Sequence, residues 1–234
     1  MQQTPFLQID NRTVYYHNKE ELLILKKEIF TQHCYYFETN TARPLIIDAG
    51  AHIGLSTLYF KKQLPLARVI AIEPNPTNFE LLEKNIWDNK LANVNTIQVA
   101  LDTHEGTTQL NIDRNQAWYS TSSLLENAWN GDLPSEPIEV KTMTLSGLLH
   151  EPVDLLKLDI EGSELAVLKE AEDKLNLVDQ LFVEFHPHKG QTLTDLTNLL
   201  DKHQYRLSFS KDGGELTLHQ AHNSALVLIH AQRR

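Results

Sequence analysis

The residues Asp48-Ala49-Gly50-Ala51-His52-Ile53-Gly54 follow the apolar run Pro44-Leu45-Ile46-Ile47, and a second apolar run, Val69-Ile70-Ala71-Ile72, ends in Glu73. Glycines at a strand-to-helix turn let a ligand approach bare backbone. An acidic residue about 20 positions further on accepts hydrogen bonds from the two hydroxyls of a ribose. Together these features predict a nucleoside pocket with Asp48, Gly50, His52, Gly54 and Glu73 around it.

The glycine spacing narrows the guest. A dinucleotide fingerprint needs a second glycine two residues after the first, so that the backbone can close on a pyrophosphate. Here the pattern is Gly50-x-x-x-Gly54 with His52 in the middle, and no Gly-Lys-Ser or Gly-Lys-Thr of a phosphate loop follows. The pattern suits an adenosine cofactor without phosphate. Strand, acid-x-Gly-x-x-x-Gly, helix, strand, acid resembles the layout of S-adenosylmethionine-dependent methyltransferases.

A second group of acids lies in Lys157-Leu158-Asp159-Ile160-Glu161-Gly162-Ser163-Glu164, at the end of the apolar run Val153 to Leu158. In an open α/β sheet the carboxyl ends of the strands form the ligand crevice, which predicts Asp48, Glu73, Asp159 and Glu184 along one rim. An acidic rim favours a cationic guest such as a sulfonium bearing an ammonium. Glu161 and Glu164 equally suit a helix start, where carboxylates meet the positive end of the dipole. For a hydroxyl acceptor a base is needed, and Asp159 and His186 are the candidates. His186 ends an apolar strand, and an ordinary imidazole titrates near 6.5. Of the 11 histidines, His188, His150 and His104 are weaker candidates. Oxygen ligands at Asp159 and Glu161 suit magnesium, but no full coordination set is spelled out and no metal is expected.

Positioning these groups requires alternating elements. The pattern predicts strand 45–48, helix 54–63, strand 69–73, helix 76–88 and strand 94–100, then strand 153–158, helix 163–171, strand 178–185, helix 193–203, and terminal strands at 205–209 and 225–229. Such alternation predicts a doubly wound, mostly parallel sheet. The Gly213-Gly214 loop predicts an antiparallel pair of terminal strands at the sheet edge. Residues 102–141 read as an insertion, with edge strands at 107–112 and 138–140. Residues 1–43 read as a hairpin around Asp10-Asn11-Arg12 and a cap helix from Asn18 to Phe30, part of one domain with 44–234. Tyr35-Tyr36-Phe37 bears either on the ligand mouth or on the packing beneath the cap.

The resemblance becomes specific when four segments are taken together: Ile46 to Gly54, Ile72-Glu73-Pro74-Asn75, Leu156 to Glu164, and Val183-Glu184-Phe185-His186. They resemble the successive signatures of the FkbM family of methyltransferases, with Asp-x-Glu-Gly-x-Glu at 159–164 the most specific part. His52 stands where that family more usually has Asn. The resemblance implies a Rossmann-like class I fold with a seven-stranded sheet and one antiparallel edge strand. It implies that Gly50 and Gly54 pass beneath the methionine of S-adenosylmethionine and that Glu73 holds the ribose. Pro74 and Asn75 would lie beside the adenine, with Ala100 and Leu101 at its edge, and Asp159 would face the methionine amino group or the acceptor. By family position Trp118 to Ser123, including Tyr119 and Ser122, flanks the acceptor together with Glu161; a polar loop with two buried aromatics is the other reading of that segment.

Composition sets outer bounds. The chain has 234 residues, 41% apolar and 22% charged, which suits one globular domain with a substantial core. A net charge of −10 argues against a duplex nucleic-acid partner. No apolar run is long enough for a membrane span, and the start lacks the basic and apolar segments of a secretory signal. With Cys34 as the single cysteine, the expected location is cytoplasmic. The expected activity is methyl transfer from S-adenosylmethionine to a hydroxyl of a sugar or small metabolite. N- or carboxyl-methylation, a non-catalytic S-adenosylmethionine-binding module and a nicotinamide-dependent oxidoreductase are the alternatives, and homo-oligomerisation stays open.

Overall fold

A computed structural model describes residues 4–113, 123–124, 135–188 and 190–234. The hairpin β1 (Phe6–Ile9) and β2 (Arg12–Tyr15) turns on Asp10 and Asn11, both with positive φ. Helix α1 (Lys19–Lys26) starts at Asn18, whose side chain accepts from the backbone N–H of Glu20 and Glu21. The helix then widens into a π-helical turn at Lys27–Thr31.

From there β3 (Leu45–Ala49), α2 (Leu55–Gln63), β4 (Arg68–Ile72), α3 (Pro76–Asp88) and β5 (Val94–Ile97) alternate as the sequence predicts. Every residue of β3 is buried, which suits a strand covered on both faces. Pro76 opens α3 and the Asn75 side chain caps it. Asn85 of α3 and its C-cap residue Asn89 exchange hydrogen bonds with the backbone of Tyr15 and Thr13, which pins the hairpin to the helix.

The third core strand ends earlier than expected. Val99 N–H turns back to Ile97 O at 3.2 Å, a tight reversal that takes the chain out of the main sheet. Ala100 and Leu101 therefore form β6 (Ala100–Leu101), which joins β7 (Gly106–Asp113) and β8 (Ser135–Met143) in a separate sheet, three-stranded among the described residues. The strands flanking the insertion are thus not edges of the main sheet.

The α/β rhythm resumes with α4 (Leu145–Leu148), β9 (Val153–Leu158), α5 (Glu164–Glu170), a 3-10 turn at Glu172–Leu177, β10 (Val178–Phe185) and α6 (Leu193–Lys202). The chain closes with β11 (Tyr205–Lys211), β12 (Gly214–Leu216), α7 (Leu218–His222) and β13 (Val227–Arg233). Among the described residues the main sheet has eight strands in the order β12-β11-β13-β10-β9-β3-β4-β5. This corrects the expected seven strands with an antiparallel edge. The antiparallel strand β13 lies inside the sheet between β10 and β11, and the Gly213 turn makes a short hairpin to the extra strand β12. Ile229 and Ala231 of β13 are fully buried, as an interior position requires.

Candidate active site

The two motifs meet at the carboxyl ends of β3 and β9. Gly50 has φ +77°, and a Cβ there would sit 1.8 Å from the backbone O of Asp159, so only glycine lets the strands approach this closely. Gly50 and Ala51 donate their N–H groups to Ile72 O, which ties the turn to β4. Gly54 has φ +91° and opens α2, where a Cβ would meet Leu82 at 2.8 Å.

Asp48 does not reach the rim. It is fully buried and lines neither of the two clefts that meet at Gly50 and Asp159, a correction of the expected cofactor contact. Its Oδ2 accepts from Ser56 Oγ at 2.7 Å and Thr57 Oγ1 at 2.6 Å, and its Oδ1 lies 3.4 Å from Lys157 Nζ. Asp48 and Lys157 are cross-strand partners in the register of β3 and β9, so the pair is set by the sheet itself. Lys157 also donates to Gly50 O at 2.9 Å and lies 3.4 Å from Asp159 Oδ2. Burial opposes its charge, but Asp159, Asp48 and Glu184 outweigh burial and hold the ammonium firmly protonated.

Glu73 is placed as the sequence predicts. Its Oε2 accepts from His52 N–H and its Oε1 from Asn75 N–H, both at 2.9 Å. Burial pushes its carboxyl up to about 7, with the two backbone N–H groups restraining the rise. The first cleft is lined by Gly50, His52, Glu73, Pro74, Ala100, Leu101, Asp159 and Glu161, together with Ile72, Val99, Leu110, Leu124 and Ile160. Ala100 and Leu101 line it from the small sheet, not from a core strand end. Gly54 and Asn75 line neither cleft; Gly54 seats α2, while Asn75 orients Glu73 and caps α3.

The Asp159–Glu164 turn carries left-handed backbone at Glu161, φ +57°, and Gly162, φ +105°. Glu164 is fully buried and satisfied: it accepts from Gly162 N–H, from Gln191 Nε2 and from His186 Nδ1. It locks the turn, whereas Glu161 points into both clefts. His186 Nε2 lies 3.1 Å from Glu161 Oε2. Burial works against an imidazolium, but the Glu164 hydrogen bond and the charges of Glu161 and Asp159 push His186 up to about 10. An imidazole held charged has no lone pair for a proton, and His186 lines neither cleft. The geometry makes it a clamp on Glu161 in place of the expected base.

Glu184 accepts from Tyr35 O–H at 3.2 Å, and burial followed by the charge of Asp159 pushes it up to about 8. Asp159, Glu184 and His186 hold ligand-type atoms within 4.8 Å of one another, but both His186 nitrogens already face carboxylates. No metal is assigned to them. Tyr119 and Ser122 lie outside the described residues.

A second cleft shares Gly50, His52, Asp159 and Glu161 with the first and continues past Lys157, Tyr35 and Glu184 toward the cap. The two clefts adjoin at Gly50, His52, Asp159 and Glu161, which line both.

The family model described as the Methyltransferase FkbM domain matches residues 48–207. The chain belongs to the FkbM methyltransferase family. It is 33% identical over 207 residues to methyltransferase sdnD of Sordaria araneosa, covering 76% of this chain and 80% of that protein. It is 28% identical over 236 residues to the 31-O-demethyl-FK506 methyltransferase FkbM of Streptomyces tacrolimicus, covering 86% and 88%. The crystal structure of methyltransferase FkbM from Methylobacillus flagellatus KT superposes with a TM-score of 0.54 at 17% identity, over 83% of this chain and 45% of that one. At that identity the superposition speaks for the fold, a class I α/β methyltransferase fold with a mixed sheet. Among the described residues no helix is long and apolar enough to cross a membrane.

Sequence reasoning passed over Lys157 as a functional residue of this FkbM-family chain. Its signal was a lone cation within Val153–Leu158, a strand with four fully buried positions at its end. Such a cation needs an anion on a neighbouring strand.

Proposed function

We propose that the chain transfers a methyl group from S-adenosylmethionine to a hydroxyl oxygen of a sugar or other small metabolite. The observation that supports this reading is that Glu73, Gly50 and Asp159 line one cleft, which adjoins a second at Gly50 and Asp159. In the first cleft Glu73 accepts from the ribose hydroxyls, and Pro74, Ala100 and Leu101 pack on the adenine. Gly50 and His52 pass beside the methionine. Asp159, which lines both clefts, would then lie on the side of the donor that faces the second cleft.

The reaction is an in-line displacement, in which the sulfur–carbon bond breaks as the oxygen–carbon bond forms, and its rate depends mostly on placement. Asp159 takes the hydroxyl proton, since its side chain keeps 24% exposure where Lys157 and Asp48 beside it are sealed. Sulfur leaves as the neutral thioether of S-adenosylhomocysteine. The relative acting on 31-O-demethyl-FK506 supports an oxygen acceptor.

Incubation of metabolite extracts with methyl-labelled donor, read by mass spectrometry, is expected to place label on oxygen. On that acceptor, Asp159→Asn is expected to lower kcat by about 10²- to 10⁴-fold, the usual contribution of a positioned base. Label on nitrogen together with full activity of Asp159→Asn contradicts the oxygen assignment. Donor binding with no labelled product makes the chain a binding module.

A further inference from the structure

The second cleft opens between the π-helical turn after α1 and the β11–β12 hairpin. Its inner charges are matched: Asp159 faces Lys157, Glu161 faces His186, and Glu184 receives Tyr35 O–H. Its outer polar groups are not. Glu28 on the π turn, with the exposed Asp212 and Glu215 on the hairpin, line the cleft with no side-chain hydrogen bond or ion pair among the described residues; Lys211 lines it beside them, and Lys27 acts on the Glu28 charge. The Gln32 side chain bridges the two walls by donating to Asp212 O at 3.1 Å. That bond leaves Gln32 Oε1 buried without a donor among the described residues. Burial pushes the Glu28 carboxyl up, Asp212 and Asp159 add to the rise, and the neighbouring Lys27 opposes it. Leu25, Ile29, Leu226 and Leu228 supply apolar surface beside these groups.

The outer cleft therefore carries three carboxylates, Glu28, Asp212 and Glu215, against the ammonium of Lys211. An anion brought against carboxylates costs free energy. That cost falls away for a ligand that brings hydroxyl or ammonium donors. We propose that this cleft selects an acceptor that is rich in hydrogen-bond donors and carries no negative charge, with Glu28 as a specificity-determining residue. The proposal rests on the methyltransferase reading for the role of the cleft and adds the chemistry of its guest.

Matched methyl glycosides isolate the charge: methyl glucosaminide as the ammonium, methyl glucoside as the neutral form and methyl glucuronide as the carboxylate. Each is titrated by ligand-observed NMR into the full chain, with and without S-adenosylhomocysteine. The ammonium and neutral probes are expected to bind, and the carboxylate at least about 10-fold more weakly than the ammonium. In Glu28→Gln, shown to be folded by its melting curve, the ammonium-to-carboxylate ratio is expected to shrink at least about threefold. Carboxylate binding equal to the neutral probe, no binding of any probe, or an unchanged ratio in Glu28→Gln overturns the proposal. Failure of the wild-type chain to bind S-adenosylmethionine overturns the proposed function instead, because the probe titrations without cofactor are read independently of it.

Discussion

Lys157→Met is expected to destabilise the protein by about 3–5 kcal/mol, the usual loss when one partner of a buried ion pair is removed. The substitution keeps a long apolar side chain in β9 but leaves Asp48 Oδ1 with no cation in a fully buried position. It also frees Gly50 O, which Lys157 holds at 2.9 Å. Urea unfolding monitored by circular dichroism measures the change. The double variant Asp48→Asn with Lys157→Met is expected to recover part of the loss, since the orphaned charge goes with the aspartate. A loss below about 1 kcal/mol for Lys157→Met would mean that Asp48 is neutral or solvated, contrary to the burial described above.

Gly50→Ala is expected to act on the same place by another route. The residue sits at φ +77°, and its new Cβ would lie 1.8 Å from Asp159 O, a backbone atom that no rotamer change can move aside. Either the turn leaves β4, breaking the Gly50 and Ala51 bonds to Ile72 O, or β3 and β9 separate at their ends. Loss on the order of 4 kcal/mol follows, at the exceptional end for one substitution. For a chain of this size that corresponds to a melting temperature lower by roughly 8–16 °C. Differential scanning calorimetry checks it. Wild-type melting would show that the glycine turn is looser than this contact allows.

The parts of the site legible in the sequence are those made by short-range chemistry. Gly50 and Glu73 declare themselves because a glycine turn and a strand-end acid report local backbone and nearby polarity. Asp159 and Glu161 follow from the same strand-end logic, and each lines both clefts. What escaped depends on which strands lie side by side. The Asp48–Lys157 pair exists only because β3 and β9 are neighbours in register, and that pairing turned an expected rim residue into a buried anchor. His186 reads as a base until Glu164, brought up by α5, claims its Nδ1 and holds it charged. The place of β13 inside the sheet is likewise a matter of tertiary packing, since a strand predicted at 225–229 pairs equally well at an edge or between two strands. The early end of β5 turns on one reversal at Gln98, which no apolar pattern marks.

The central claim is that Glu73 holds the ribose of S-adenosylmethionine, and isothermal titration of the donor into the wild-type chain and Glu73→Ala tests it most directly. The wild-type chain is expected to bind one donor per chain. Loss of a charged hydrogen-bond acceptor is expected to weaken binding in Glu73→Ala by about 1.5–3 kcal/mol, roughly 10- to 150-fold. Equal affinity in the two proteins, or binding of NAD by a wild-type chain that ignores S-adenosylmethionine, would contradict the account.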